Sequence, residues 1–143
     1  MYGIIAVKGV VLHNDKIIIL EKVINKDDTI WDLPGGLIES GETKQEALKR
    51  EITEELNLNV DIGDEIGVWT FSRHYDDRVV TATNYLCSII DNSFIINLSK
   101  EHISYLWINP MEIVNYKVKD TSLVKSVLDF FELDKRTNRK KKA

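Results

Sequence analysis

The sequence predicts an α/β protein built as one domain. Runs rich in Ile, Val and Thr, which are typical of β-strands, fill the N-terminal and central parts, and two segments with helical periodicity accompany them. The chain has 143 residues, of which 43% are hydrophobic and 29% charged, as in ordinary globular proteins. We expect the domain to occupy residues 1–133 and a basic, disordered tail to occupy residues 134–143.

Two apolar runs at residues 2–12 and 16–23 are separated by the polar stretch HND. Runs of Ile and Val bounded by such turn residues indicate strands buried on both faces, so this segment is predicted to be a hairpin. A polar loop is expected at residues 25–29. The segment WDLPGGLIESGE that follows is rich in Gly and Pro, which predicts irregular structure.

A helix is predicted from about residue 44 to residue 56. Thr43 and Glu46 have the spacing of a capping box, in which each side chain accepts a hydrogen bond from the other residue's backbone N–H. The helix should end at Asn57, because asparagine tolerates the left-handed conformation of a helix C-terminus better than any residue except glycine.

The pattern from residue 60 to residue 96 is again typical of strands. The β-branched and aromatic stretches 68–71 and 79–86 lie on either side of a polar connection, which predicts two further strands. Another strand is expected at residues 103–108.

Two helix starts are predicted in the C-terminal part. Asn109 and Pro110 are the residue types preferred at the cap and the first position of a helix. The segment 122–133 places its apolar side chains on one stripe, which indicates a last helix that packs on the sheet.

The charge distribution argues against nucleic acid as the main partner. Net charge is −4, although the segment from Asp134 to Ala143 carries six Lys or Arg residues and one Asp, so the remainder is strongly acidic. Such a surface repels phosphates over most of its area. An alternative in which the basic tail binds RNA stays open, and it predicts salt-sensitive RNA binding.

The composition also argues against a membrane protein. The longest uncharged run, Val79–Ile90, has twelve residues, too few to span a bilayer, and Lys8 interrupts the apolar N-terminal stretch. The single cysteine, Cys87, has no intrachain partner for a disulfide. We therefore expect no membrane contact and a cytoplasmic location.

Glu51, Glu54 and Glu55 form what we call the carboxylate cluster. They share one side of the predicted helix, where like charges cost roughly a few tenths of a kcal/mol per pair. The cluster borders the apolar stripe of the helix, and Gly35 and Gly36 precede it, so a backbone carbonyl can approach closely. A bound Mg²⁺, which prefers oxygen ligands, would turn this repulsion into shared attraction. The alternative is a solvated acidic face.

The segment Gly36–Leu58 resembles the Nudix box: Gly, five residues, Glu, seven residues, Arg-Glu, an apolar residue, any residue, Glu-Glu, any residue, Gly, and an apolar residue. Every fixed position matches in register except Asn57, where the family has Gly. The WDLP lead-in and the segment Trp107–Pro110 also look like the family. The resemblance implies a Nudix α/β/α sandwich, with a mixed β-sheet between helices and the site at one edge of the sheet.

The resemblance also implies a metal site that binds Mg²⁺ or Mn²⁺. Glu51 and Glu55 would be the principal ligands, Glu54 a further ligand or a base that orients water, and the carbonyl of Gly35 another ligand. Which carboxylate accepts the proton from water stays open.

Outside the carboxylate cluster, the resemblance implies several supporting residues. Arg50 and Glu42 would form an ion pair that holds the loop on the helix. Glu101 is placed like a loop carboxylate that reaches the metal in 8-oxo-dGTP pyrophosphohydrolases of the family, although an ordinary surface position is the alternative.

Three residues are expected to contact the substrate. Lys22 matches a place where the family often has a basic residue facing the phosphates, and Tyr75 could stack on a base. Asp120 falls near a position that reads the purine edge in some members, but it could equally be the N-cap of the last helix. His13, His74 and His102 form no metal-binding motif, and we interpret them as surface or structural residues.

The function implied by the resemblance is Mg²⁺-dependent hydrolysis of a nucleoside diphosphate linked to another group. The favoured substrate is a (d)NTP or an oxidised dNTP, cleaved to NMP and pyrophosphate. The alternatives are an ADP-ribose, nucleotide-sugar or diadenosine polyphosphate hydrolase, and a non-catalytic sensor that binds a nucleotide. Silent members typically lose box glutamates, and this chain keeps them, which favours an enzyme. The family often forms dimers, so a homodimer is left open.

Overall fold

The computed structural model describes residues 3–73 and 75–142, and the side chains of residues 134–142 lie outside this description. Seven strands, two α-helices and one 3₁₀-helix follow one another along this part of the chain. They are β1 (Ile4–His13), β2 (Lys16–Asn25), β3 (Asp28–Asp32), β4 (Gly35–Leu37), α1 (Lys44–Leu56), β5 (Val60–Ser72), β6 (Val79–Ile89), β7 (Ser104–Ile108), the 3₁₀-helix (Pro110–Asn115) and α2 (Thr121–Lys142).

The strands form one mixed sheet in the order β3-β2-β1-β6-β5, with β4 paired to β1 and β7 paired to β2. The pairing of β1 with β6 is parallel, and the other pairings are antiparallel. The predicted hairpin of β1 and β2 is present. Its two turn residues, Asn14 and Asp15, both have positive φ, as a tight hairpin turn requires.

Each face of the sheet supports its own hydrophobic core, because successive residues of a strand point to opposite faces. On β1, for example, Ala6 and Val10 belong to the core beneath α2, whereas Val7 and Val11 belong to the core beneath α1. The sheet therefore lies between the two helices. This arrangement confirms the predicted α/β/α sandwich.

The segment WDLPGGLIESGE was expected to be irregular, and this expectation is wrong for part of it. Its first residues complete β3, which pairs with β2, and its two central glycines begin β4, which pairs with β1. Neighbouring strands supply hydrogen-bond partners that the local sequence cannot reveal, so tertiary pairing overrides the Gly and Pro signal. β3 also begins inside the loop expected at residues 25–29.

Helix α1 has the predicted boundaries and caps. Thr43 Oγ1 accepts the backbone N–H of Glu46 at 3.1 Å, and Glu46 Oε1 accepts the backbone N–H of Thr43 at 3.0 Å. Asn57 ends the helix in the left-handed conformation, with φ 58° and ψ 36°. The helix packs tightly on β1 at Gly9, where a Cβ would lie only 2.8 Å from Ile52 Cδ1. Glycine at this position brings the carboxylate cluster close to the sheet.

The C-terminal elements differ from the prediction in type and length. Asn109 caps the next helix as expected, but this helix is a short 3₁₀-helix rather than an α-helix. Helix α2 continues to Lys142, beyond its predicted end at residue 133. The side chains of residues 134–143 are outside the described part, so the expected disordered tail stays a prediction. Within the described residues, no helix is long and apolar enough to cross a membrane.

The left-handed cap gives a test of helix termination. Replacing Asn57 by Ala should lower the free energy of unfolding by about 1 kcal/mol, because alanine adopts positive φ at a higher cost, whereas Asn57→Gly should equal or exceed the wild-type stability. Urea unfolding would measure both differences. The matched control is Asn59→Ala, an exposed position without positive φ. Equal losses from Asn57→Ala and Asn59→Ala would contradict the cap's role.

Candidate active site

Most of the sequence-predicted site residues meet at one cavity of about 630 Å³. It lies where β1, β2 and the β3–β4 connection approach α1, and loops near residues 73 and 101 complete its rim. Eight of the predicted residues line it: Lys22, Gly35, Arg50, Glu51, Glu54, Glu55, Tyr75 and Glu101. The sequence did not point to several other lining residues, among them Lys8, Asp32, Phe71, Arg73, Ser99, His102 and Lys119.

Glu55 is the most buried member of the carboxylate cluster, with its side chain only 8% exposed. Its Oε1 accepts the backbone N–H of Gly35 at 2.7 Å, and its Oε2 lies 3.3 Å from His102 Nε2. Burial raises the pKa of Glu55 to about 8, although the nearby charge of Lys8 and the Gly35 hydrogen bond oppose this shift. The carboxylate is thus held in place at the floor of the cavity.

Glu51 and Glu54 are more accessible and contact Arg50. Glu51 Oε1 lies 2.9 Å from Arg50 Nη1, and Glu54 Oε2 lies 3.4 Å from the same nitrogen. Burial raises the pKa of Glu51, against the hydrogen bond from Arg50. A Cβ at Gly36 would come within 2.6 Å of the Glu51 carboxyl group, so a larger residue there would move the end of the Glu51 side chain. Side-chain exposure rises from Glu55 through Glu51 to Glu54, at 8%, 18% and 59%.

The predicted ion pair between Arg50 and Glu42 is present. Arg50 donates from Nε to Glu42 Oε2 at 2.7 Å and from Nη2 to Glu42 Oε1 at 2.9 Å, which is the paired geometry of a strong guanidinium–carboxylate interaction. This hydrogen bonding, together with the backbone N–H of Glu39, lowers the pKa of Glu42 to about 2. Arg50 Nη2 also lies 3.4 Å from Leu37 O. The pair fixes the β4–α1 loop on the helix.

A buried ion pair that the sequence did not reveal lies behind the carboxylate cluster. Lys8 Nζ is 2.8 Å from Asp32 Oδ2, and the two residues are 6% and 7% exposed. Burial alone lowers the pKa of Lys8, but Asp32, helped by Glu55 and Glu51, outweighs this effect and leaves the pKa raised. Lys8 therefore stays positively charged beside the cluster.

His102, which we interpreted as a surface or structural residue, is buried beside the carboxylate cluster. Its side chain is 5% exposed, lies in the cavity wall and contacts Glu55. Burial, reinforced by the charge of Lys22, lowers its pKa, so the ring is neutral at neutral pH. No spacing pattern could have revealed it, since the loop that carries it reaches Glu55 only in the fold. His13 packs edge-on against an aromatic ring, and His74 lies outside the described residues.

The same loop is tied to the helix by its backbone. Ser99 donates its N–H to Glu55 O at 3.0 Å, and Asn97 donates to Leu56 O at 3.1 Å. Ser99 Oγ lies 3.2 Å from His102 Nδ1. The loop therefore closes the cavity beside the helix end, and it brings Glu101 to the rim, where its side chain is exposed.

The residues expected to contact the substrate divide into two groups. Lys22 and Tyr75 line the cavity, and the guanidinium of Arg73 lies 4.6 Å from the centre of the Tyr75 ring. Asp120 does not line it. Its Oδ1 accepts the backbone N–H of Ser122 at 2.9 Å, so the structure favours the alternative in which Asp120 caps α2.

The carboxylate cluster has the donor chemistry of a magnesium site. Among the described residues, no three Asp, Glu, His or Cys side chains are already arranged to hold a metal ion, because the cluster contacts Arg50, Gly35 and His102 instead. Its oxygens are hard ligands, and burial disfavours the ionised forms of Glu51 and Glu55 until a cation compensates them. These residues fit a divalent cation.

A model of the NUDIX domain matches residues 4–130. A Bacillus subtilis protein named "Putative 8-oxo-dGTP diphosphatase" is 39% identical over 69 residues, which are 48% of this chain and 45% of that protein. The nucleoside triphosphatase NudI of Escherichia coli is 36% identical over 96 residues, 60% of this chain and 66% of that protein. The match thus spans about half to two thirds of these relatives.

Solved structures agree with the observed fold. The crystal structure of a MutT protein from Methanosarcina mazei is similar with a TM-score of 0.78 at 24% identity, over 92% of this chain and 95% of that one. The family model covers nearly the whole chain, including the carboxylate cluster and both walls of the cavity. The chain therefore belongs to the Nudix family.

Proposed function

We propose that the protein is a Mg²⁺-dependent pyrophosphohydrolase that cleaves a nucleoside triphosphate, either a (d)NTP or an oxidised dNTP, to NMP and pyrophosphate. Nudix hydrolases generally use a divalent metal. The observation that carries the proposal is the cavity itself, whose lining combines the carboxylate cluster with Lys8, Lys22 and Lys119. A phosphate chain with its metal needs this pairing of charges.

One group of residues would hold the metal ion. Glu51, Glu54 and Glu55 would hold Mg²⁺, with the carbonyl of Gly35 as the further ligand implied by the family resemblance. The ion, when bound, lowers the pKa of water and neutralises charge on phosphoryl oxygens. Glu101, at the rim, is a candidate for an additional ligand.

The remaining groups bind and orient the substrate. Lys22 supplies positive charge to the phosphates, and Tyr75, exposed at the cavity mouth, offers a ring on which a base can stack. The Arg50–Glu42 pair holds the β4–α1 loop on the helix that carries the carboxylate cluster. Catalysis then depends on positioning and charge, since the attacking group is water.

The named relatives support a triphosphate over the alternatives. Both carry names of enzymes that act on nucleoside triphosphates. ADP-ribose, nucleotide sugars and diadenosine polyphosphates remain the alternative substrates, and a nucleotide sensor without catalysis is the alternative function. The sensor is disfavoured because Glu51, Glu54 and Glu55 are all retained and border the cavity.

A substrate panel tests the proposal. Purified protein with Mg²⁺ should release pyrophosphate and NMP from at least one of the (d)NTPs or 8-oxo-dGTP faster than it cleaves ADP-ribose, nucleotide sugars or diadenosine polyphosphates. Liquid chromatography of the products would measure this. Preference for a diphosphate-linked substrate would overturn the triphosphate assignment, and inactivity on the whole panel, with a nucleotide raising the melting temperature, would favour the sensor.

Glu54→Gln and Glu55→Gln should each lower kcat by a factor on the order of 100 or more, because each removes a negative charge from the proposed metal site while keeping the shape of the side chain. The control is Glu65→Gln, an exposed glutamate on β5 away from the cavity. Circular dichroism would verify that all three variants fold. Full activity in either cluster variant would contradict the role of these carboxylates.

Arg50→Lys should weaken Mg²⁺ activation by about 10- to 100-fold, since lysine cannot make the paired hydrogen bonds that fix the β4–α1 loop on the helix. Activity measured against Mg²⁺ concentration gives the apparent affinity, and activity at saturating Mg²⁺ should recover much of the loss. Lys49→Gln, exposed on the same helix, is the control. An unchanged Mg²⁺ dependence would show that the ion pair does not position the site.

The pKa of Glu55 predicts a pH dependence in the metal-free protein. Its folded value of about 8 exceeds the unfolded value of 4.5, so the contribution of Glu55 to stability is fully present below about 4.5 and is lost as the pH rises through about 8. The free energy of unfolding, measured in urea at several pH values across this window with a chelator, should fall relative to that of Glu55→Gln. If the difference in free energy of unfolding between the wild type and Glu55→Gln stays constant with pH, the raised pKa is contradicted.

A further inference from the structure

Lys119 lines the same cavity as the carboxylate cluster. A bridge between Val118 and Trp31, together with a 2.8 Å hydrogen bond from Trp31 N to Lys117 O, fixes the backbone before it beside β3. Because that bridge is parallel, Lys119 continues alongside Asp32. This segment therefore brings a lysine to the cavity from a part of the chain far from the Nudix box.

The Lys119 side chain is held over an aromatic ring. Its Nζ lies 4.6 Å from the centre of the Phe71 ring, a cation–π contact that keeps the ammonium group at the cavity surface. The side chain is half-buried, as is that of Lys22, which lines the same wall. We call Lys22 and Lys119 the basic wall.

The basic wall lacks a carboxylate of its own. Among the described residues, neither Lys22 nor Lys119 has an acidic group within salt-bridge distance. The charge of Asp32 acts on Lys119, but Asp32 Oδ2 binds Lys8 at 2.8 Å and its Oδ1 accepts the N–H of Leu33 at 2.8 Å. The Asp32 carboxylate is therefore already bound to Lys8 and to the backbone, and it makes no salt bridge with Lys119.

The pKa of Lys119 agrees with its lack of an acidic partner. Its pKa is lowered first by burial and then by the positive charges of Lys22 and Lys8, with Asp32 opposing. Two half-buried ammonium groups that repel each other resemble the carboxylate cluster with the sign reversed. An anion with several oxygen atoms would relieve the repulsion between the two ammonium groups, and lysine side chains are common phosphate binders.

We propose that Lys119 binds a phosphate group of the substrate and, together with Lys22, clamps the end of the phosphate chain that the carboxylate cluster does not hold. This inference rests on the proposed function, and it narrows the substrate class. A clamp of two cations favours a substrate with a further charged phosphate, as in a nucleoside triphosphate. A nucleotide sugar offers a neutral group at that point.

Calorimetric binding of α,β-methylene nucleoside triphosphates in Mg²⁺ tests the clamp without turnover. Lys119→Gln should weaken binding on the order of tenfold, equally for adenine, guanine, cytosine and uracil, because a charge-assisted contact to phosphate is lost. Binding of nucleoside monophosphates should change less than about twofold. Lys119→Arg should restore most of the triphosphate affinity, since arginine also binds phosphate.

The matched control is Lys16→Gln, which removes the same charge from an exposed residue at the β1–β2 turn, outside the cavity. It should leave triphosphate affinity within about twofold of wild type. Melting temperatures of all variants would show that each is folded, and Lys119→Arg keeps the test informative if Lys119→Gln is unstable.

The outcomes separate this inference from the proposed function. Unchanged triphosphate affinity in Lys119→Gln overturns the clamp even if the wild type hydrolyses triphosphates. A loss confined to one base also overturns it, because Lys119 would then contact the base. Conversely, the wild type could bind the analogues tightly and cleave nothing on the panel, while Lys119→Gln binds them weakly. That result would support the clamp and overturn the hydrolase assignment.

Discussion

The buried carboxylate of Glu55 is the interaction on which the site depends. Its side chain is 8% exposed, accepts the N–H of Gly35 and contacts His102. The Glu55 carboxylate therefore joins α1 both to the start of β4 and to the loop after β6. Its charged form is costly in this position, as the rise of its pKa to about 8 shows. A cation bound at the cavity would offset this cost, and the proposed metal site rests on that.

The opposite charges that line the cavity come together where α1 packs on the sheet. Ile52 packs on β1 at Gly9, where a Cβ would lie 2.8 Å from Ile52 Cδ1, and the charge of Glu55 acts on Lys8 of the same strand. In the buried Lys8–Asp32 ion pair, the positive and negative charges compensate each other. The cavity lining therefore combines the carboxylates of α1 with Lys8, Lys22 and Lys119, and these are the charges that the proposed phosphate chain and metal would require.

Rigidity around the carboxylate cluster comes from groups that need not touch the substrate. The Arg50–Glu42 pair, the capping box at Thr43 and the left-handed residue Asn57 fix the start and end of α1. Asn57 ends the helix in the left-handed conformation, because φ 58° is accessible to asparagine. Exposed residues such as Tyr75 and Glu101 lie instead on loops at the rim, where a substrate can be selected.

The sequence alone determined what depends on neighbouring residues: the limits and caps of α1, the first hairpin and the shared face of the carboxylate cluster. The tertiary structure decided what depends on strand pairing. It joined Lys8 to Asp32, brought His102 and Lys119 into the cavity, made strands from a glycine-rich segment and assigned Asp120 to a helix cap. The reason is physical, since periodicity and capping are local, whereas the partner of a buried charge is set by which distant segments the packed cores bring together.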